Sequence, residues 1–266
     1  MENERILYER CPLCESPDIR ESYKADCRAH DLWREPLEPF IIWMECGDCG
    51  HFFSNGYFTD EALGILFGRT NTIQIVGVDV ERNRLISAKM IQRVIERIGL
   101  PDDRLWLDVG FGNGSLLMTA YEFGFNVFGI DLRKQNVDDL VNIGIPAYYG
   151  TLGSAIRDDT FDRKPTVISM ADVVEHEPFP IESLRSAREL IDDSGVLLIS
   201  MPAAGAPLWQ YWNAIGNNPY SIEIEHYHNF TRDRLYQVLD QVGFKPVHYA
   251  VAERYRCGME ILAQAV

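Results

Sequence analysis

The sequence predicts an α/β protein: a doubly wound, mainly parallel sheet of seven strands with an antiparallel final pair, preceded by a small cysteine-rich ribbon. Three observations predict it. From residue 104 onward, short apolar runs alternate with helical patterns, the signature of strands joined by helical crossovers. Two C-x2-C pairs, Cys11/Cys14 and Cys46/Cys49, fall within the first fifty residues. The run Leu105-Trp106-Leu107-Asp108-Val109 passes directly into Gly110, Gly112 and Gly114, and a helical pattern opens at Ser115.

Size and charge bound the function. At 266 residues the chain suits one medium domain with an appendage. Its composition, 46% hydrophobic and 24% charged, is that of an ordinary globular protein. No apolar run approaches the roughly 18 residues of a membrane span. Met1-Glu2-Asn3-Glu4-Arg5 is not the basic-then-apolar start of a secretory signal, so a cytoplasmic location is expected. The formal net charge of −15 counts against nucleic acid as a partner, because phosphate contact needs a basic face.

Residues 1–56 form the first expected unit. Cys11-Pro12-Leu13-Cys14 and Cys46-Gly47-Asp48-Cys49-Gly50 are two knuckles with 31 residues between Cys14 and Cys46. Each presents two thiolates from one tight loop, and together they supply the four soft ligands of a structural Zn2+. His30 and His51 are alternative ligands. Four cysteines leave no open coordination position, so the metal's role is structural. Ile41–Glu45 reads as a strand entering the second knuckle.

Residues 57–100 are expected to be a helical linker and cover helix. Thr59 caps a short helix through Phe67. Residues 71–80 are extended or a loop. Residues 81–98 carry Leu85, Ile86, Met90, Ile91, Val94, Ile95 and Ile98 at helical spacing, closed by Gly99 and Pro101. Residues 101–266 are the sheet domain. Its strands are expected at 105–109, 125–130, 146–149, 166–170, 195–201, 244–251 and 257–266, with helices at 116–123, 137–143, 181–190 and 231–242. The aromatic-, Pro- and Gly-rich stretch 203–225 reads as a lid.

The glycines sit where a strand hands over to a helix, the place of a nucleotide-cofactor site. The spacing is G-x-G-x-G, and Ser115 stands where a dinucleotide fingerprint wants Gly or Ala. Asp108 precedes the glycines, where a carboxylate suits a cationic ligand better than a pyrophosphate. Asp131 ends the next strand, at the distance where an acid accepts ribose hydroxyls. The fourth strand ends in Ala171-Asp172-Val173-Val174-Glu175-His176.

In this order and spacing, residues 107–114, Gly129-Ile130-Asp131, 171–176, 195–202 and His226-Tyr227-His228-Asn229-Phe230-Thr231 resemble the class I S-adenosylmethionine-dependent methyltransferases. The resemblance covers about residues 81–266 and implies a Rossmann-like fold. It further implies that Gly110, Gly112 and Gly114 pass beneath the cofactor S-adenosyl-L-methionine and that Asp108 lies near its cationic end. Asp131 is implied to take the ribose, Leu132 to pack on the adenine, and either a backbone carbonyl or Thr151 to replace the usual acidic adenine contact. Asp172 is implied to stand beside the methyl group. The knuckle pair in front is similar to zinc-binding N-terminal regions on some methyltransferases of sugar and natural-product pathways.

Methyl transfer from a sulfonium needs an acceptor held in line and, for a hydroxyl, a base. His228, His226 and His176 are the candidates, with Glu175 and Glu225 behind them. His226 and His228 alternate along an extended stretch and should face opposite sides. Trp209, Tyr211, Trp212 and Tyr220 either stack on an acceptor or pack on one another. The expected function is methyl transfer to a small hydroxylated acceptor such as a sugar, nucleotide sugar or natural product, in a chain compatible with a homodimer. Two alternatives stand beside it. One is nucleic-acid or protein methylation with a basic stripe at Arg20, Lys24, Arg28 and Arg34. The other is a non-catalytic zinc-ribbon scaffold.

Overall fold

The computed structural model describes residues 4–67, 74–254 and 256–266. The chain begins with strands β1 (Arg5–Leu7), β2 (Ile19–Asp26), β3 (Phe40–Cys46), β4 (Phe52–Ser54) and β5 (Gly56–Phe58), then helix α1 (Asp60–Leu66). Helix α2 (Val80–Ile98) leads into β6 (Leu105–Val109), α3 (Ser115–Glu122), β7 (Asn126–Asp131), α4 (Lys134–Asn142) and β8 (Ala147–Tyr149). Next come α5 (Leu152–Arg157), β9 (Val167–Ala171), α6 (Pro180–Leu190) and β10 (Val196–Pro202). Helix α7 (Pro207–Ala214), β11 (His228–Asn229), α8 (Arg232–Gln241), β12 (Phe244–Val251) and β13 (Gly258–Ala265) follow. Of the stretch 71–80, residues 71–73 lie outside the described residues, and 74–79 are turns rather than a strand.

These elements sort into two compact units, each discontinuous in sequence. The first comprises Met1–Thr70, Glu175–Pro180 and Pro202–Leu235; the second comprises Asn71–Val174, Ile181–Met201 and Tyr236–Val266. The stretch 203–225 does not group with the sheet domain that follows residue 101. Trp43 donates its Nε1–H to the Ser221 carbonyl (2.8 Å), Arg5 donates to that of Ile224 (3.1 Å), and β11 pairs antiparallel with β4. These partners are remote in sequence, so composition alone did not reveal them.

In the first unit, one sheet has the order β11-β4-β3-β2 and a second pairs β1 with β5. Its core gathers Ile41 and Trp43 of β3, Phe58, Ala62, Leu66, Ile224 and Tyr227. Trp43 stacks on Phe52 with ring centroids 5.4 Å apart. The Thr59 hydroxyl caps α1 by accepting from the Ala62 N–H, as its position before the helix predicts.

The second unit is the expected seven-stranded sheet, in the order β12-β13-β10-β9-β6-β7-β8. Strands β6 to β10 pair in parallel, and β12 and β13 close the sheet as an antiparallel pair. Every residue of β9 and β10 is buried, as parallel strands covered on both faces require. Met90, Ile91 and Val94 of α2 share a core with Trp106 and with Leu116, Leu117 and Ala120 of α3. Burying each such side chain contributes about 2 kcal/mol. Leu85, expected on this face, is exposed. It lies five residues before Met90, well round the helix from the buried stripe. Helix α5 was not foreseen from the sequence. Thr151 and Ser154 form a reciprocal cap at its start. Among the described residues no helix is long and apolar enough to cross a membrane.

Candidate functional site

Strand β6 sits at the switch point of the second unit, with β7 on one side and β9 on the other. In open α/β sheets, ligands collect outside the carboxyl ends of strands at that point. The Gly110–Gly114 loop lies there. A Cβ on Gly110, whose φ is +68°, would fall 2.6 Å from Cγ2 of Val173, so the backbone runs against β9's exit with no room for a side chain. Gly112 differs: its φ is +59°, but among the described residues nothing other than the Gly110 carbonyl, at 4.0 Å, lies near its missing Cβ. The loop is held from behind. Asn113 Oδ1 accepts from the Ser115 N–H and hydroxyl, Asn113 Nδ2 donates to the Val78 carbonyl, and Asn136 Nδ2 donates to those of Gly112 and Gln74. Ser115 is thus a partner of the loop rather than a failed glycine.

Two buried carboxylates flank the loop. Asp108 accepts from the Ser169 hydroxyl at 2.6 Å, and Ser169 accepts from Trp106 Nε1 at 2.8 Å. Burial pushes the Asp108 carboxyl up to about 7; Ser169 and the Arg254 charge pull against that, and Asp131 adds to it. Asp131 is fully engaged. Its Oδ1 accepts from the backbone N–H and Nε of Arg133, and its Oδ2 from Arg133 Nη2 (2.9 Å) and the Gly112 N–H (3.1 Å). Leu132, just beyond, is 68% exposed. Asp172, with φ +57°, directly follows β9, half-buried, with Arg254 Nε at 3.4 Å. Thr151 differs from its expected place. Its hydroxyl accepts from the Ser154 N–H, so the side chain is committed to capping α5.

The three candidate histidines all belong to the first unit. His228 is buried, and both its ring nitrogens are used: Nε2 donates to the Glu177 carbonyl and Nδ1 accepts from His51 Nε2, each at 2.9 Å. Desolvation pushes its pKa down to about 4. A ring so occupied has no lone pair left to remove a proton, and the sequence-based reading of His228 as a base gives way to a bracing role. His226 and His176 lie edge to face, with centroids 4.7 Å apart. His176 Nδ1 donates to the Glu225 carbonyl (3.1 Å). Desolvation first, then the neighbouring imidazoles, hold His226 well below the usual histidine range. Beside them His30 Nε2 pairs with Glu223 (2.8 Å) and Glu225 (3.5 Å).

The aromatic stretch packs on itself. Trp209 and Tyr220, both buried, stack with centroids 5.0 Å apart. Tyr211 stays exposed.

The four knuckle cysteines converge, with one sulfur of each within 4.8 Å of the rest. Cys11 and Cys49 Sγ are 3.7 Å apart, and Cys14 and Cys46 are 3.5 Å apart. A tetrahedral ion with bonds of about 2.3 Å would set its sulfurs about 3.8 Å apart. Gly50, at φ +64°, makes the turn after the second knuckle. His51, an alternative ligand on sequence grounds, is instead the buried partner of His228.

Residues 75–249, most of the second unit and part of the first, match a family described as a methyltransferase domain. The chain belongs to this family. A curated relative, the ubiquinone biosynthesis O-methyltransferase of Cereibacter sphaeroides, is 26% identical over 155 residues, 53% of this chain. The aligned part spans 60% of that relative's length. Two solved methyltransferases share the fold. The 1,6-didemethyltoxoflavin-N1-methyltransferase of Burkholderia thailandensis, with S-adenosylhomocysteine bound, has a TM-score of 0.57 at 16% identity, covering 83% of this chain and 97% of its own. The magnesium protoporphyrin IX methyltransferase of Synechocystis, also with S-adenosylhomocysteine, has a TM-score of 0.53 at 16% identity, covering 74% and 90%.

Sequence reasoning about this methyltransferase domain missed Ser169, Arg133 and Asn136. An arginine two places after Asp131 was a visible signal. Ser169 was visible only as a polar break in an apolar strand, and nothing local marked Asn136.

Proposed function

We propose that the protein transfers a methyl group from S-adenosyl-L-methionine to a small hydroxylated acceptor, such as a sugar, nucleotide sugar or natural product, and carries a structural Zn2+ on Cys11, Cys14, Cys46 and Cys49. The observation that carries the reading is the glycine loop at the carboxyl end of β6, set between buried Asp108 and Asp131 in a chain of the methyltransferase-domain family. The cofactor supplies a methyl group on a sulfonium, a good neutral leaving group. The chain's own residues have the work of holding and orienting.

The residues present fit that cofactor. Open space over Gly112 admits a ligand against the backbone. Asp108, already shielded from water, gains by facing a cation. The exposed face of Leu132 offers apolar cover to a base, and Asp131 offers its oxygens to a ribose diol. All four of its strong acceptor directions are taken by Arg133 and Gly112, so the diol would displace part of the Arg133 fork. Asp172 keeps its proposed place near the methyl group, and His176 and His226 keep a proposed role toward the acceptor. Among the cations of the proposed basic stripe, Arg20 is paired with Asp18 and Arg28 with Asp26. This supports a small acceptor over a polyanion.

Calorimetry with S-adenosylmethionine and S-adenosylhomocysteine tests the cofactor half. Micromolar binding that Asp131→Ala abolishes is expected; no binding by the zinc-loaded protein would sink it. Incubation with cofactor and pooled sugars, nucleotide sugars and phenols, read by mass spectrometry for an added methyl group, tests the acceptor half.

A further inference from the structure

The carboxylate of Glu175 and the imidazoles of His176 and His226 converge within the first unit, one donor atom of each lying within 4.8 Å of the others. Glu175 is 1% exposed and His226 6%. Imidazole and carboxylate donors in a 2:1 set are a recurring environment for first-row divalent ions. Burial sets this cluster apart from the acidic groupings common on protein surfaces.

Two further observations point to an ion. The Nδ1 of His226 is buried and has no hydrogen-bond partner among the described residues. Buried polar atoms are nearly always satisfied, and an exception asks for a missing partner. His176 supplies the second. Its Nδ1 lies 3.1 Å from the Glu225 carbonyl, which can only accept. Nδ1 therefore carries the hydrogen, which makes Nε2 the ring nitrogen able to ligate. A backbone carbonyl holding one ring nitrogen while the other faces a metal is the usual outer support of a ligating histidine. The neighbouring acids are already employed: Glu223 and Glu225 face His30.

We propose that Glu175, His176 and His226 bind a divalent first-row transition-metal ion at a site separate from the four-cysteine cluster. Ligands around such an ion sit about 2.1 Å from it, so closing the cluster needs movement of the donor atoms by about an ångström. Three protein donors leave coordination positions open, unlike the closed sulfur site, and an oxygen ligand such as water or a hydroxyl would fill them. The site stands on the first unit alone and does not rest on the methyl-transfer reading.

The test uses full-length protein stripped to one zinc per chain by a chelator too weak to compete with four thiolates, then titrated with Co2+. One Co2+ per chain is expected to bind with the zinc retained. It should give weak visible bands without thiolate-to-cobalt charge transfer, and a strongly shifted exchangeable imidazole proton in the NMR spectrum. No thiolate site can produce that proton signal, so the wild-type protein decides the matter even where variants fold poorly. Glu175→Gln and His226→Gln should each weaken Co2+ binding at least tenfold, while His30→Gln should keep it. Absence of Co2+ beyond the zinc, charge transfer showing exchange into the cysteine site, or undiminished uptake by both ligand variants would overturn the proposal.

Discussion

The Nε2 of His51 donates to the Nδ1 of His228 across 2.9 Å in a fully buried pocket. The direction follows from the far side of the pair: His228 Nε2 faces the Glu177 carbonyl and must hold its hydrogen, so its Nδ1 is the acceptor. Both imidazoles are neutral, and the rings stack with centroids 5.2 Å apart. Removing either leaves a buried polar atom alone, at a cost of about 1–3 kcal/mol. His51→Ala and His228→Ala are each expected to destabilise the protein by that order or more, because a cavity is also made. The double variant should cost clearly less than the sum of the two, since the lost bond is counted once. Denaturant unfolding of the four proteins checks this.

Asp108 gives the pH dependence. Its folded pKa, near 7, lies above the ordinary aspartate value of 3.8. The folded protein therefore holds a proton that the unfolded chain has released, and stability from this group is fully present below about pH 4 and lost as pH rises through 7. A bound sulfonium reverses the preference by favouring the carboxylate. S-adenosylmethionine should thus release protons on binding and bind more tightly above pH 7 than at pH 6, with a weaker trend for S-adenosylhomocysteine, which lacks the sulfonium charge. Calorimetry in buffers of different ionisation enthalpy measures the release, and Asp108→Asn should abolish it.

Gly110 and Gly112 should fail for different reasons. Gly110→Ala meets Val173 and a left-handed backbone together, so a stability loss of about 2–4 kcal/mol is expected. Gly112→Ala carries only the backbone term, about 1–2 kcal/mol, and points its methyl into open space. It should fold well and lose cofactor affinity out of proportion to its stability. Thermal melts beside binding isotherms separate the two.

Arg133 occupies acceptor positions that a ribose would need. Arg133→Met should therefore keep or raise S-adenosylhomocysteine affinity, whereas Asp131→Ala should lose it. Equal losses in the two variants would mean that Arg133 shapes the site rather than competes for it.

Chelation of the sulfur site should unfold the first unit, since small ribbons draw their folding free energy from the metal. Hydrogen exchange followed by mass spectrometry is expected to show the loss of protection at β2, β3 and β4 before any at β6 or β9.

The residues that were legible in the sequence are those whose signal is local. Asp108 in a strand, Gly110 in the turn after it and Asp131 at the end of the next strand stand where the local pattern puts them. The knuckles, α1 with its Thr59 cap, and the final antiparallel pair were equally readable. What was not readable depends on distant partners. A two-residue strand at His228–Asn229 exists only because Phe53 and Phe52 lie opposite. His51 was weighed as a metal ligand because Cys49 lies two places away, and only the fold brings His228 to it. Thr151 carried a capping signal, with Ser154 three residues on, that was spent on a cofactor contact instead.

The pairing of β11 with β4 also bears on how the protein is made. On a ribosome the N-terminal strands emerge early, while the segment that completes their sheet is synthesised only after most of the second unit. Until then β4 presents an unpaired edge to the surroundings. Early metal capture by the cysteines, which lie far ahead of that segment, would hold the nascent ribbon in register while it waits.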